Sequence, residues 1–128
     1  MEQFLIDTSS VSDYLSDSLP LNGIRFMDSV IDKVPNISII SQIDLLCWNT
    51  PDKDKIANIG NFITDSRIFE ITPDIVLQCV KVRKGKKIKT PDAIIAATAL
   101  SLGYTLITNN VKDFRNIPKL KIINPQEL

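Results

Sequence analysis

The sequence predicts an α/β fold: a three-layer α/β/α arrangement in which a five-stranded, mainly parallel sheet is covered by helices on both faces. Three observations predict it. Five short apolar segments recur along the chain, each too brief for a helix. Stretches with helical spacing lie between them, so that strand and helix alternate. The strand segments are near-continuously apolar, as strands buried on both faces are.

The elements follow in order. "QFLID" (Gln3 to Asp7) is the first buried strand, ending in a polar switch at Asp7. "TSSVSDYL" is the first helix, with Thr8 to Ser10 able to cap it. "SLPLNG" marks a break around Pro20 and Gly23. "IRFMDSVIDKV" places apolar residues at Ile24, Met27, Val30, Ile31 and Val34, a helical spacing. "PNISIIS" is a second strand with Ile37, Ile39 and Ile40, and "SQIDLLCW" a helix capped by Ser41. "TPDKDKIANIGNFIT" opens with Thr50 as N-cap and Pro51 at the first helical position. "RIFEI" is a third strand, and "TPDIVLQCVKVRKGKK" repeats the Thr-Pro start of a helix. Thr90 to Leu102 forms the next helix, closed by Gly103. "YTLIT" is a fourth strand, "NNVKDF" a turn or short helix, and "LKIIN" a fifth strand. There is no repeat, low-complexity segment or linker, so residues 1–128 read as one domain.

Composition narrows the chemistry. Of 128 residues, 44% are hydrophobic, enough for a sizeable core. Lys+Arg and Asp+Glu number 15 each, so any nucleic-acid contact must rest on a local basic patch and not on a whole-protein field. No apolar run reaches the ~18 residues of a membrane span, and "MEQFLIDTSS" lacks the basic lead and apolar stretch of a signal peptide. Cys47 and Cys79 have no metal-ligand spacing and are expected to be small buried thiols of a reducing compartment. Histidine is absent, which excludes a Ser-His-Asp triad, His-based acid–base catalysis and a His-ligated zinc site. Carboxylates, lysines or a hard metal ion must carry any catalysis.

Four aspartates fall where open parallel sheets place their sites, beyond the carboxyl ends of the strands. Asp7 ends the first strand, Asp44 lies one helical turn after the second, Asp92 opens the helix before the fourth, and Asp113 follows that strand. Singly, each has an ordinary explanation: a turn or cap at Asp7, a weak capping box at Asp44, a favourable helix dipole at Asp92, and a cap and short helix three residues after Asn110 at Asp113. Together they point elsewhere. Asp7 and Asp44 interrupt apolar segments, and a buried carboxylate is costly unless paired or metal-bound. No strong lysine or arginine partner lies in the immediate neighbourhoods of Asp7, Asp44 and Asp92. Clustered carboxylates repel, and oxygen-only ligands select Mg²⁺ or Mn²⁺, which activates water without histidine. Ala93, Ala96, Ala97 and Ala99 would let their helix approach the sheet and bring Asp92 toward Asp7, although helix propensity explains part of that pattern. Asn110, Thr108 and Thr8 are candidates to hydrogen-bond the carboxylates.

"FLIDTS", "ISIISQIDLL", "TPDAIIAATALSLGYTLITNNVKDF" and "IPKLKIINP" together resemble the PIN-domain family, in particular the VapC-type toxins of toxin–antitoxin pairs. The resemblance covers nearly the whole chain in the expected order. Its most specific part is the third segment: an Asp, Ile-Ala-Ala, a Gly, a strand, then Thr-x-Asn-x-x-Asp-Phe. It implies a single PIN domain over 1–128, a five-stranded parallel sheet and Mg²⁺-dependent endoribonuclease activity leaving a 5′-phosphate and a 3′-hydroxyl. It also implies an antitoxin partner, a homodimer and a cytoplasmic location. Asp7, Asp44, Asp92 and Asp113 occupy the family's acidic positions, with Asp7 and Asp92 the central metal ligands and Asn110 matching the Asn before the last acid. The family usually carries Glu where this chain has Asp44, one methylene shorter.

The expected mechanism is hydrolysis by a water bound to one or two divalent ions, in line with the scissile phosphodiester. "KVRKGKKIK" leads directly into Asp92, and its Lys84, Lys86, Lys87 and Lys89 are candidates to hold the RNA backbone; a solvated helix end is the competing explanation. Leu15, Leu19, Leu21, Phe26 and Met27 form a partner surface or, more commonly for such residues, part of the core. The alternative function is a non-catalytic PIN-like module that binds RNA or a protein. A receiver domain would need an Asp at the end of the third strand, where "RIFEITPD" has Glu70 inside the strand segment. A haloacid-dehalogenase-type phosphatase would need Asp-x-Asp, whereas Thr8 and Ser9 follow Asp7.

Overall fold

A computed structural model describes residues 2–128. Five three- or two-residue strands alternate with seven helices: β1 (Phe4–Ile6), α1 (Thr8–Leu15), α2 (Leu21–Ile31), β2 (Asn36–Ser38), α3 (Ile39–Leu46), α4 (Lys53–Asp65), β3 (Arg67–Phe69), α5 (Pro73–Arg83), α6 (Thr90–Leu102), β4 (Thr105–Ile107), α7 (Val111–Phe114) and β5 (Ile122–Ile123). A 3-10 turn, Pro125–Glu127, follows.

Every strand pairing is parallel, but the ladder is not continuous. β1 pairs with β4 (Leu5 opposite Leu106) and β4 with β5 (Leu106 opposite Ile122). β2 pairs separately with β3 (Ile37 opposite Ile68). The expected five-stranded sheet is therefore a three-stranded sheet, β1-β4-β5, beside a two-stranded one, β2-β3. At the seam the Asn36 side-chain amide donates to the Phe4 carbonyl at 2.9 Å. A side chain thus satisfies a strand-edge acceptor that a backbone N–H would otherwise take, so β2 lies next to β1 without a backbone ladder.

Alternation along the central strands divides the core. Ile6 and Ile107 pack with Val11, Met27, Ile37, Leu45 and Phe62 on one face. Their neighbours Leu5 and Leu106 pack with Ala93, Ile95, Ala96, Ala99 and Phe114 on the other. Successive residues of a strand point to opposite faces, so β1 and β4 supply both layers; their one polar side chain, Thr105, donates to Glu2 at 2.6 Å. Ala93, Ala96, Ala97 and Ala99 are wholly buried, which seats α6 close against the sheet and α5. Gly103 closes α6 at φ 69°, a left-handed position that favours glycine.

Several local expectations are corrected. Ile39 and Ile40 belong to α3 and not to the second strand, because the Ser38 hydroxyl, not Ser41, accepts from the Ile40 amide at 3.0 Å and starts the helix early. Asp52, not Thr50, caps α4; its carboxylate accepts from Asp54 and Lys55. The first helix is capped by Asp7 itself. Neither thiol is buried: Cys47 is exposed at the end of α3 and Cys79 is half-buried. Of the apolar residues considered for a partner surface, Leu19 and Met27 are core, Leu15 and Phe26 pack against it, and only Leu21 is exposed. Among the described residues no helix is long and apolar enough to cross a membrane.

Candidate active site

The site is built at the carboxyl ends of β1 and β4. The Asp7 amide donates to the Ile107 carbonyl at 2.8 Å, extending the strand pairing by one residue and fixing Asp7 beside Thr108. Asp7 is buried, 6% exposed. Its Oδ1 accepts from the Thr8 amide at 2.8 Å. Its Oδ2 accepts from Thr108 Oγ1 at 2.7 Å and from Ser9 Oγ at 3.1 Å. Each hydroxyl is oriented in turn: Asn110 N donates to Thr108 Oγ1 and Asn109 N donates to Ser9 Oγ. Ser9 and Asn109 carry no distinguishing sequence signal; only the meeting of α1 with the turn after β4 reveals them.

The other three carboxylates arrive from separate helices. Asp92 is half-buried in the first turn of α6 and accepts no hydrogen bond from the described residues. Asp113 is exposed on α7, where its Oδ2 accepts from Asn110 Nδ2 at 2.8 Å. Asp44 stands on the exposed face of α3 and does not enter the core, so the burial argument made for it from sequence does not hold. Helical rotation explains this: Ser41 and Leu45 face inward, and Asp44, about 100° of rotation from Leu45, falls at the edge of that face. Thr8 Oγ1 lies 3.3 Å from Asp44 Oδ2 and 3.0 Å from Ser41 Oγ, linking α1 to α3.

Two of the four acids, Asp7 and Asp92, are shifted by burial and by their neighbours' charges. Burial pushes the Asp7 carboxyl above its ordinary range against the hydrogen bonds of Thr108, Ser9 and Thr8, and the Asp44 charge adds to the rise. Burial also raises Asp92, helped by the charges of Asp7, Asp113 and Asp44 and opposed by Lys89. As the side chains stand, no group of three or more acidic or thiol residues among those described is spaced to hold one ion. In this arrangement oxygens of Asp7 and Asp113 are taken up by Thr108, Ser9 and Asn110. The donor chemistry fits a hard divalent ion: oxygens only, like charges gathered, one carboxylate buried and one without a hydrogen-bond donor.

Beside Asp92 and Asp113 opens a cleft of about 380 Å³, lined also by Lys86, Lys87, Ile88, Lys89, Lys112, Asn116 and Ile117. Three of the four lysines singled out from the basic run reach it. Lys84 does not: it lines a separate depression with Cys79, Val80, Arg83 and Thr90. Gly85, at φ 76°, turns the chain between Lys84 and Lys86. Lys112, which the sequence reading missed, joins the cleft from α7, and no linear basic run announces it.

A family model described as PIN domain matches residues 52–120. The chain belongs to the PIN domain family. The matched stretch holds Asp92, Asp113, Thr108, Asn110 and the cleft lysines, whereas Asp7 and Asp44 precede it. A segment of 36 residues is 53% identical to Ribonuclease VapC1 of Rickettsia felis; it spans 28% of this chain and 27% of that protein. Solved structures resemble the whole PIN fold. DNA-bound VapBC from Salmonella typhimurium superposes with a TM-score of 0.77 at 22% identity, covering 98% of this chain and 99% of that one. A toxin–antitoxin complex from Klebsiella pneumoniae gives 0.75 at 28% identity, over 96% and 98%.

Proposed function

We propose that residues 1–128 form a single PIN unit acting as a divalent-metal-dependent endoribonuclease, the toxin of a toxin–antitoxin pair. The observation that carries this reading is the meeting of mutually repelling carboxylates with a lysine-lined cleft: Asp7, Asp44 and Asp113 all raise Asp92, which lies on the cleft wall. The resemblance to Ribonuclease VapC1 and to the VapBC and toxin–antitoxin complexes supports it.

In this reading Asp7 and Asp92, with Asp44 and Asp113, are the residues that would hold the ion. When bound there, Mg²⁺ or Mn²⁺ would supply an activated water and offset charge on the phosphate. The chain's own groups do the rest. Thr108 and Ser9 fix the Asp7 carboxylate, and Asn110 fixes Asp113. Thr8 reaches Asp44 from α1. Lys86, Lys87, Lys89 and Lys112 bind backbone phosphates, drawing the scissile group toward Asp92. A cytoplasmic location accords with an RNA substrate and free thiols. Antitoxin and a second copy of the chain are assigned to exposed apolar positions, Ile43 and Leu46 on α3 and Val76, Leu77 and Val80 on α5, in place of Leu15, Leu19, Phe26 and Met27, which lie in or against the core.

Purified protein, freed of any partner, is to be incubated with a panel of structured RNAs. Defined cuts that need Mg²⁺ or Mn²⁺, stop with chelator and vanish in Asp7→Asn are expected. RNA bound but uncut across the panel, with either ion, would instead establish a non-catalytic binding module.

A further inference from the structure

Asn109 sits between the two residues that hold the carboxylates, since Thr108 donates to Asp7 and Asn110 to Asp113. Its own side-chain amide donates elsewhere, to Asp13 Oδ2 at 2.6 Å. The same oxygen accepts from Gln126 Nε2 at 3.0 Å, and that nitrogen also lies 3.1 Å from the Ser18 carbonyl. One carboxylate oxygen on α1 thus gathers the turn after β4 and the C-terminal 3-10 turn, segments far apart in sequence. The C-terminal turn is firmly seated. A Cβ at Gly23 would fall 2.2 Å from the Pro125 carbonyl oxygen, so α2 packs directly on it. Asn124 Oδ1 accepts from the Gln126 amide at 3.0 Å.

Building on the nuclease reading, we propose that Asp13 is a positioning residue for the carboxylate site, clamping the Thr108–Asn110 turn between α1 and the C-terminal turn. The link to the chemistry is short. Asn109 N donates to the Ser9 hydroxyl and Asn110 N to the Thr108 hydroxyl, and those two hydroxyls donate to Asp7 Oδ2. A shift of the turn therefore moves both donors that aim the Asp7 carboxylate, and Asn110 carries Asp113 with it. A charged acceptor serving two amide donors makes stronger hydrogen bonds than a neutral one would. Groups held this way matter because catalysis tolerates little displacement of the first contact shell.

The test exchanges donor and acceptor. Asn109→Asp sets two carboxylates against each other and is expected to lower kcat for RNA cleavage about 10-fold or more with KM little changed. Amide hydrogen exchange, followed by NMR, is expected to quicken at Asn110 and at position 109. Asp13→Ala is expected to do the same. Adding Asp13→Asn to Asn109→Asp puts an amide nitrogen where Oδ2 stood, so that it donates to the new carboxylate while Gln126 loses that acceptor and keeps the Ser18 carbonyl, and kcat and exchange protection are expected to recover in part. Wild-type kcat and exchange in Asp13→Ala and Asn109→Asp would overturn the proposal, as would a double variant no better than Asn109→Asp alone. Absence of cleavage by the unaltered protein would remove the nuclease reading and leave amide exchange to decide whether Asp13 holds the turn.

Discussion

Asp7 concentrates two opposing demands in one side chain. It caps α1 and accepts three hydrogen bonds, yet burial still holds its carboxyl above the ordinary range. An acid whose folded pKa exceeds its unfolded one binds more protons folded than unfolded, so stability falls as pH rises through the interval between the two values. Above that interval the ion-free protein carries the full cost of an ionised, desolvated Asp7. Asp7→Asn keeps a capping side chain and removes the charge. With chelator present, this variant is expected to melt at a higher temperature than wild type at neutral pH, and the difference to shrink as pH drops into the carboxylate range. Calorimetric scans across pH check this. An Asp7→Asn protein that melts lower than wild type at neutral pH would show that the hydrogen bonds outweigh the desolvation.

At the scale of elements, α6 links packing to the site. Its inward face is alanine because the helix lies close to the strands and to α5, and its first turn delivers Asp92. Alanine at these positions is required by distance as well as favoured by propensity. Ala96→Leu inserts side-chain carbons where exposure is zero, and overpacking of this kind costs about 1–3 kcal/mol. It also pushes the helix outward. Loss of stability in denaturant melts is therefore expected together with weaker cleavage, since Asp92 moves away from Asp7. The surface substitution Ala57→Leu on α4, at an exposed position, is expected to change neither.

For the whole molecule, the balance of 15 basic and 15 acidic residues means that no long-range field draws RNA in. On the nuclease reading proposed above, RNA affinity rests on the local gathering of Lys86, Lys87, Lys89 and Lys112 around the cleft. Each phosphate contact on a single strand contributes about −0.7 to the slope of log affinity against log salt. Replacing Lys112 by Ala in a catalytically silent background is expected to weaken binding to every RNA alike and make that slope shallower by about that amount. Lys84→Ala, outside the cleft, is expected to leave it unchanged. An unaltered slope for Lys112→Ala would place the RNA on another face.

Local pattern determined much of this protein. Strand and helix alternation followed from apolar runs and helical spacing; Thr72 and Gly103 bound their helices through side-chain and backbone preferences that need no tertiary partner. The aspartates at the strand ends, the missing histidine and the basic run before Asp92 were equally legible. Three-dimensional contacts decided what remained. Asn36 broke the ladder between β1 and β2 by hydrogen bonding across it; rotation of α3 exposed Asp44; Gly85 turned Lys84 away from the cleft while α7 carried Lys112 in. The Asp13–Asn109–Gln126 contact was likewise invisible in linear order. Hydrogen bonds, burial and charge act through distance in space, and chain order constrains that distance only among near neighbours.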